Sequence, residues 1–245
     1  MQDPTQWHEA LGLSPSEIPV AVILEGTWWE KAAYENRTQH LTNTRELNFP
    51  GWVLGTHQGA NVLYVCAYGA PKAVEPVHVL AALGTKRAIQ IGSCGSLESR
   101  CRTGDVIVPS RAEIGEGASQ YYGGFDVALA SKPLQARASE LLGERGMTVH
   151  DGHHLTTSAL FAQPREVVER WSDAGYSSVD METSAVYTAA SHFGMEAVAM
   201  LYVWDELLAG RGFLDSFSED EQRRQREANE ATFAVALQLA REAHR

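Results

Sequence analysis

Ala88-Ile89-Gln90-Ile91-Gly92-Ser93-Cys94-Gly95 is the stretch whose reading decides the fold class. A short, mostly apolar run passes into two glycines spaced three apart, the pattern of a buried strand closed by a glycine-rich turn. Glycines let such a turn tighten with backbone N–H groups facing outward, which suits an oxygen-rich ligand. No Lys-Ser/Thr pair follows, so this is not a P-loop. Taken alone, an ordinary strand-to-loop turn is the simpler description.

Working outward, similar runs appear at Val20–Leu24, ending at Gly26, at Val62–Cys66, at Asp105–Pro109 and at Ala197–Val203. Helical patterns lie between them, at Val74–Leu83, Leu134–Leu142, Arg165–Trp171 and Glu182–Phe193. A last helix opens with the capping-box pair Ser218 and Glu221 and carries Phe233, Leu237 and Ala240 on one face. Strands separated by helices predict an α/β fold of three layers around a central sheet. No repeat, low-complexity tract or Pro/Ser linker divides residues 1–245, so one domain is expected.

Composition narrows the function classes. Hydrophobic residues make up 44% and charged residues 21% of 245 residues, the balance of a globular chain. Twenty Lys+Arg against 31 Asp+Glu give a net charge of −11, which disfavours nucleic-acid or anionic-membrane partners. The longest apolar run, Val20–Leu24, is far short of the ~20 residues needed to span a bilayer. Met1-Gln2-Asp3-Pro4 shows no export signal. Three cysteines, Cys66, Cys94 and Cys101, lack metal-ligand spacing and read as reduced thiols, so a cytoplasmic enzyme of small molecules is expected. His153-His154 has no third ligand at helpful spacing, so neither metal nor cofactor is expected.

The residues able to carry chemistry fall at strand ends, where α/β folds place ligands. Glu182, in Val179-Asp180-Met181-Glu182-Thr183, begins a helix. It either complements the helix dipole or, as an acceptor-only carboxylate, takes hydrogen bonds from adjacent sugar hydroxyls. Asp205 follows the apolar run ending Val203-Trp204. Partial desolvation there would raise its pKa and fit it to donate a proton near neutral pH, although a helix N-cap is an equal alternative.

As an ordered set these pieces resemble the nucleoside phosphorylase superfamily, which groups purine nucleoside phosphorylases, uridine phosphorylases and nucleosidases. The match runs almost end to end: His8 ahead of Leu11-Gly12-Leu13-Ser14, Gly26, Thr42-Asn43-Thr44-Arg45, Gly84 to Gly95, Gly104-Asp105-Val106-Ile107, Glu116 to Tyr122, Met181-Glu182 and Asp205. The resemblance implies a phosphorylase-like α/β/α sandwich with a mixed central sheet. It implies ribose bound by Glu182 with Met181 packed on the sugar, and Asp205 placed to protonate N7 of a leaving purine. More weakly, it implies Phe161 against the base, Tyr68 beside the sugar, and His8 reaching a neighbouring subunit's site in a homo-oligomer built on dimers, up to a hexamer.

Departures from the family pattern are as informative. Phosphorylases carry arginines four residues after the first-strand glycine and two before the Gly-Ser, where this chain has Glu30 and Gln90. Of the expected anion cradle, Gly26, Arg45 and Ser93 remain. At about 4 Å and an effective dielectric of 20, each unit charge interaction is of order 4 kcal/mol, so exchanging Arg for Glu should repel phosphate. The nucleosidases resemble this chain at both places, with Glu30 then acting as general base on water and Asp205 as acid. The expectation is therefore cleavage of a purine nucleoside by hydrolysis. A phosphorylase with an atypical phosphate site and a catalytically silent nucleoside-binding protein are the alternatives. Trp28 and Trp29 read as core packing, and Trp204 replaces a small residue of purine-specific relatives.

Overall fold

The computed structural model describes residues 4–243. Its described strands form one sheet. Along the main path lie β2 (Thr42–Glu46), β3 (Val53–His57), β4 (Ala60–Cys66), β1 (Ala21–Gly26), β5 (Arg87–Ser96), β11 (Ser178–Asp180), β10 (His153–Thr157), β7 (Arg111–Gly115) and β8 (Val127–Leu129). β12 (Glu196–Glu206) also pairs with β5, and β6 (Val106–Ile107) and β9 (Val149–His150) extend the sheet beyond it. β4, β1, β5 and β12 run parallel, while β11 meets the end of β5 antiparallel, so the sheet is mixed.

The parallel strands are hydrophobic on both faces because both are covered. Val22, Leu24 and Ala88 join a core with α3 (Ala70–Leu83) and α6 (Thr183–Phe193). Ala21, Ile23, Ile89 and Ile91 face α4 (Lys132–Glu144) and α7 (Glu219–Glu242), with Ala33 of α2 (Glu30–Thr38). This is the three-layer α/β/α arrangement expected from the alternation of runs. α1 (Pro4–Leu11) and α5 (Arg165–Asp173) complete the described helices. The capping box of α7 forms as read: Ser218 N donates to Glu221 Oε2 at 2.8 Å, and Glu221 N to Ser218 Oγ at 3.3 Å.

The glycine-rich stretch is not a turn. β5 continues through Gly92-Ser93-Cys94-Gly95, held by β12 on one side, with Gly92 opposite Leu201 and Gly95 opposite Asp205. The glycines serve close approach instead: a Cβ on Gly92 would sit 3.0 Å from Gly26 O, and one on Gly95 would sit 2.7 Å from Leu207 Cδ1 and 3.0 Å from Asp205 Oδ1. The strand expected over Asp105–Pro109 shrinks to Val106–Ile107, because the Asp105 carboxylate accepts from Arg102 N at 2.9 Å and ties the preceding turn. Among the described residues no helix is long and apolar enough to cross a membrane, and Cys66, Cys94 and Cys101 are buried free thiols.

Candidate active site

A cavity of about 230 Å³ opens where β1, β5 and β12 end. Gly26, Tyr68, Ser93, Met181, Glu182 and Asp205 all line it. The sequence spreads these residues from position 26 to position 205, and the parallel strands bring them together.

Glu182 immediately precedes α6, whose first turn is capped by another residue: Asp180 accepts from Thr183 N at 3.0 Å and from Thr183 Oγ1 at 2.6 Å. Glu182 is therefore free to turn into the cavity, where its Oε1 accepts from Gly69 N at 2.6 Å. Gly69 has φ +88°, a conformation glycine adopts without strain, and this aims its N–H at the carboxylate. A Cβ on Gly26 would stand 2.8 Å from Glu182 Oε2, so glycine at 26 makes room for this side chain. Burial raises the Glu182 carboxyl pKa, and the nearby Asp180 charge raises it further.

Asp180 shows the opposite balance. Burial works against its ionisation, but His154 Nε2 lies 2.8 Å from Oδ1, and Thr183, Thr156 and Gln90 donate to the carboxylate, so its pKa is held low. The pair is thus a fixed anion beneath a carboxyl that resists ionisation.

Asp205 is aimed by an irregularity in the sheet. The register of β12 on β5 shifts between Val203 and Asp205, a bulge that re-aims the side chain at the strand end. Asp205 is only 6% exposed. Burial pushes its carboxyl up to about 7, with Asp215 adding to the rise and its own backbone N–H and Arg211 opposing it. A carboxyl poised there can hold a proton and release it near neutral pH, which is what a general acid needs.

The remaining expected site residues lie elsewhere. Glu30 does not line the cavity; it opens α2 about half exposed, and Lys72 Nζ donates to its Oε1 at 2.5 Å. The lysine from the first turn of α3 draws the carboxylate outward, so Glu30 is not placed to activate a cavity water. Gln90 is also absent from the lining. It is buried, and its Nε2 donates to Asp180 Oδ2 at 2.8 Å, so it orients the floor beneath Glu182. Arg45 donates to Glu17 Oε1 at 2.9 Å and to Gly12 O at 3.0 Å, and His8 Nδ1 lies 2.8 Å from Leu13 O. Both sit together beside the end of α1, outside their own chain's cavity. Phe161 stands at the rim, 68% exposed, edge-on to Trp28 at 5.6 Å, while its neighbour Leu160 supplies the lining. Glu116 of the matched Glu116–Tyr122 segment is structural: Ser184 of α6 donates to it at 3.0 Å.

Some lining residues escaped the sequence reading. Trp28 and Trp29 are not core: each is about half exposed and both line the cavity. Trp29 stacks on Trp204 at 5.4 Å and on Phe213 at 5.8 Å, forming an aromatic wall beside Asp205. Glu25, Arg37 and Asn229 make a polar wall. Arg37 holds Glu25 through Nε at 2.9 Å and Nη2 at 3.0 Å, Tyr64 donates to Glu25 at 2.6 Å, and Arg37 Nη2 donates to Asn229 Oδ1 at 2.5 Å. The signal was present: Trp29, Ala33 and Arg37 fall at i, i+4 and i+8 on one helical face.

Residues 38–241 match the family model described as the phosphorylase superfamily. The chain belongs to that superfamily. Its curated relatives include the DeoD-type purine nucleoside phosphorylase of Alkaliphilus metalliredigens (strain QYMF), 26% identical over 205 residues that cover 82% of this chain and 88% of that protein. A DeoD-type purine nucleoside phosphorylase of Bacillus cereus (strain ATCC 14579) is 28% identical over 188 residues, covering 75% and 79%. Among solved structures, uridine phosphorylase from Vibrio fischeri ES114 superposes with a TM-score of 0.80 at 19% identity, covering 94% of this chain and 95% of that one. The superfamily expected from the ordered motifs is thus the one found, and the phosphorylase-like fold with it.

Proposed function

We propose that this protein cleaves the N-glycosidic bond of a purine nucleoside, with Asp205 protonating the leaving base and Glu182 holding the ribose hydroxyls. The observation that carries the reading is Asp205: a carboxyl buried at the bulged end of β12, protonated up to about pH 7, in the same cavity as Glu182. A purine anion is a poor leaving group, and a proton delivered to the ring lets the bond break through an oxocarbenium-like state. General acid catalysis of this kind contributes ~10²–10⁴-fold. Glu182, already receiving Gly69 N, keeps Oε2 for a sugar hydroxyl. Trp29 and Trp204 offer flat faces beside the acid for the base.

Water is the nucleophile in this reading. Arg37 is the only lysine or arginine among the described lining residues, and Glu25 neutralises it at two nitrogens. The position facing an incoming dianion carries Ser93 and backbone groups rather than a free guanidinium. Glu30 is not assigned as base, and an oxocarbenium-like centre asks little of the water that captures it. Phosphorolysis is the second reading, supported by the names of the curated relatives. It gains weight if a neighbouring copy delivers its Arg45 to the cavity; the half-buried pair Arg45 and His8, placed together outside the cavity of their own chain, fits such a homo-oligomer, built on dimers.

The test is incubation of the full chain with a panel of purine and pyrimidine nucleosides, with and without phosphate. Free ribose from a purine nucleoside in the absence of phosphate is the expected product. Strict phosphate dependence with release of ribose 1-phosphate would establish the second reading. Binding without turnover of any nucleoside would overturn both.

A further inference from the structure

A second concavity, about 800 Å³, lies between α2, the β3–β4 turn and α7, and its electrostatics run against those of the whole chain. Arg37, His40, His57, Arg145, Arg226 and Arg241 line it, and Glu230 is the only carboxylate among the described lining residues. The protein as a whole carries a net charge of −11. A pocket of opposite sign on such a molecule focuses its field on anions that the rest of the surface repels.

The pairing of these arginines is unusual for this chain. Ten of the arginines lie within 4.0 Å of a carboxylate, among them Arg87 with Glu196, Arg137 with Glu242 and Arg211 with Glu221. In the groove, Arg145, Arg226 and Arg241 have no carboxylate partner among the described residues. Arg145 donates to Gln238 Oε1 at 3.2 Å and to Leu141 O at 3.3 Å, and Arg241 donates to Gln58 Oε1 at 2.7 Å. Amide and carbonyl acceptors orient a guanidinium without cancelling its charge. Arg241 Nε is, in addition, buried with no hydrogen-bond partner, a group that gains by meeting an acceptor.

We propose that this groove binds a phosphorylated small molecule, with Arg145, Arg226 and Arg241 taking the phosphate oxygens. Guanidinium forks match phosphate geometry and present several donors to it, and the volume accommodates more than a single inorganic anion. The groove and the cleavage cavity share Asn36, Arg37 and Asn229 as a common wall, so an anion seated here faces the far side of the Glu25–Arg37 pair. The groove reading does not depend on what the cleavage cavity does.

Pyrophosphate, titrated calorimetrically into the full-length protein, is the probe. The expected result is saturable binding, weakened about tenfold or more in R226Q and further in R226Q/R241Q, with both variants keeping the wild-type circular dichroism spectrum. E182Q should bind pyrophosphate as the wild type does, which separates the groove from the cleavage cavity. The proposal is overturned if wild type shows no binding, or if R226Q/R241Q binds unchanged. It is equally overturned if E182Q removes the binding, or if R226Q/R241Q instead breaks an assembly seen by sedimentation while pyrophosphate fails to bind, since the groove is then an interface between protein chains. R145Q supplies an independent variant just past the end of α4 should the double variant fail to fold.

Discussion

Two sets of buried carboxylates sit around one cavity, and they are treated in opposite ways. Glu25 and Asp180 are fully provided for: Arg37 and Tyr64 hold the first, and His154, Thr156, Thr183 and Gln90 hold the second. Glu182 and Asp205 are buried as deeply but receive little, and both resist ionisation. A carboxyl with few partners is costly to bury and ionise, so a fold that keeps two of them facing a cavity keeps them for something other than stability. The provided pair builds the walls, and in the proposed function the deprived pair does the chemistry.

The sharpest way to break that distinction is to remove the proton that Asp205 can give. Asp205→Asn should lower kcat/KM for a purine nucleoside by ~10²–10⁴-fold without loss of fold. On a 7-methylated purine nucleoside, whose ring already carries the charge, the loss should largely disappear. A similar loss on both substrates would show that Asp205 matters for binding rather than for proton donation.

Arg37→Met tests the provided pair. It strands the Glu25 charge in the interior and should destabilise the protein by ~3–5 kcal/mol in urea unfolding. A change below about 1 kcal/mol would show that the ion pair is not a structural wall. Next in size, Glu182→Gln alters one acceptor for the ribose hydroxyls, and because this carboxyl resists ionisation the loss should be only up to ~10-fold in kcat/KM, as a neutral hydrogen bond contributes ~0.5–1.5 kcal/mol. Gly26→Ala should reproduce much of that loss, because its Cβ would press on Glu182 Oε2 at 2.8 Å.

Stability against pH separates the two sets in another way. The folded pKa of Asp205 is raised above its unfolded value, so between roughly pH 4 and 7 the native state binds the extra proton. Stability therefore falls as pH rises through that window. Asp205→Asn should remove that fall, so the variant should gain on wild type in Tm between about pH 5 and pH 8. A parallel pair of curves would place Asp205 in water rather than in the interior.

The smallest effect is expected at Glu30. As an exposed partner of Lys72, Glu30→Gln should change stability by no more than ~1 kcal/mol and activity little. A loss of most activity would mean that the first turn of α2 moves in when substrate binds, restoring the general base expected from the sequence.

How much was legible before the structure follows from what each residue does. Strong parallel strands declare themselves because both faces are buried, and Ala88–Ile91 and Ala197–Val203 were plain. β2, β7 and β8, partly exposed and short, carry no such signal, and were missed. Glu182 and Asp205 each have an ordinary local explanation, a first-turn glutamate and a helix N-cap, and only their place in the ordered set of motifs that resembles the superfamily singles them out. Glu30 and Gln90 were misplaced for a common reason: position along the chain fixes where a backbone sits, whereas a long polar side chain turns toward its best partner. For Glu30 that partner is Lys72, and for Gln90 it is Asp180. The polar wall of Glu25, Arg37 and Asn229 joins residues 192 positions apart in its longest link; helical spacing points to Arg37, but nothing local ties it to Asn229.

The central claim, that a buried Asp205 donates the proton to the departing base, is tested most directly by the pH dependence of kcat/KM on an unmodified purine nucleoside. The expected profile falls with a midpoint close to pH 7 as the aspartic acid ionises, and the fall vanishes in Asp205→Asn. A rate that stays level to well above pH 8 in the wild type, or an Asp205→Asn variant that keeps the wild-type rate and the same fall, would contradict it.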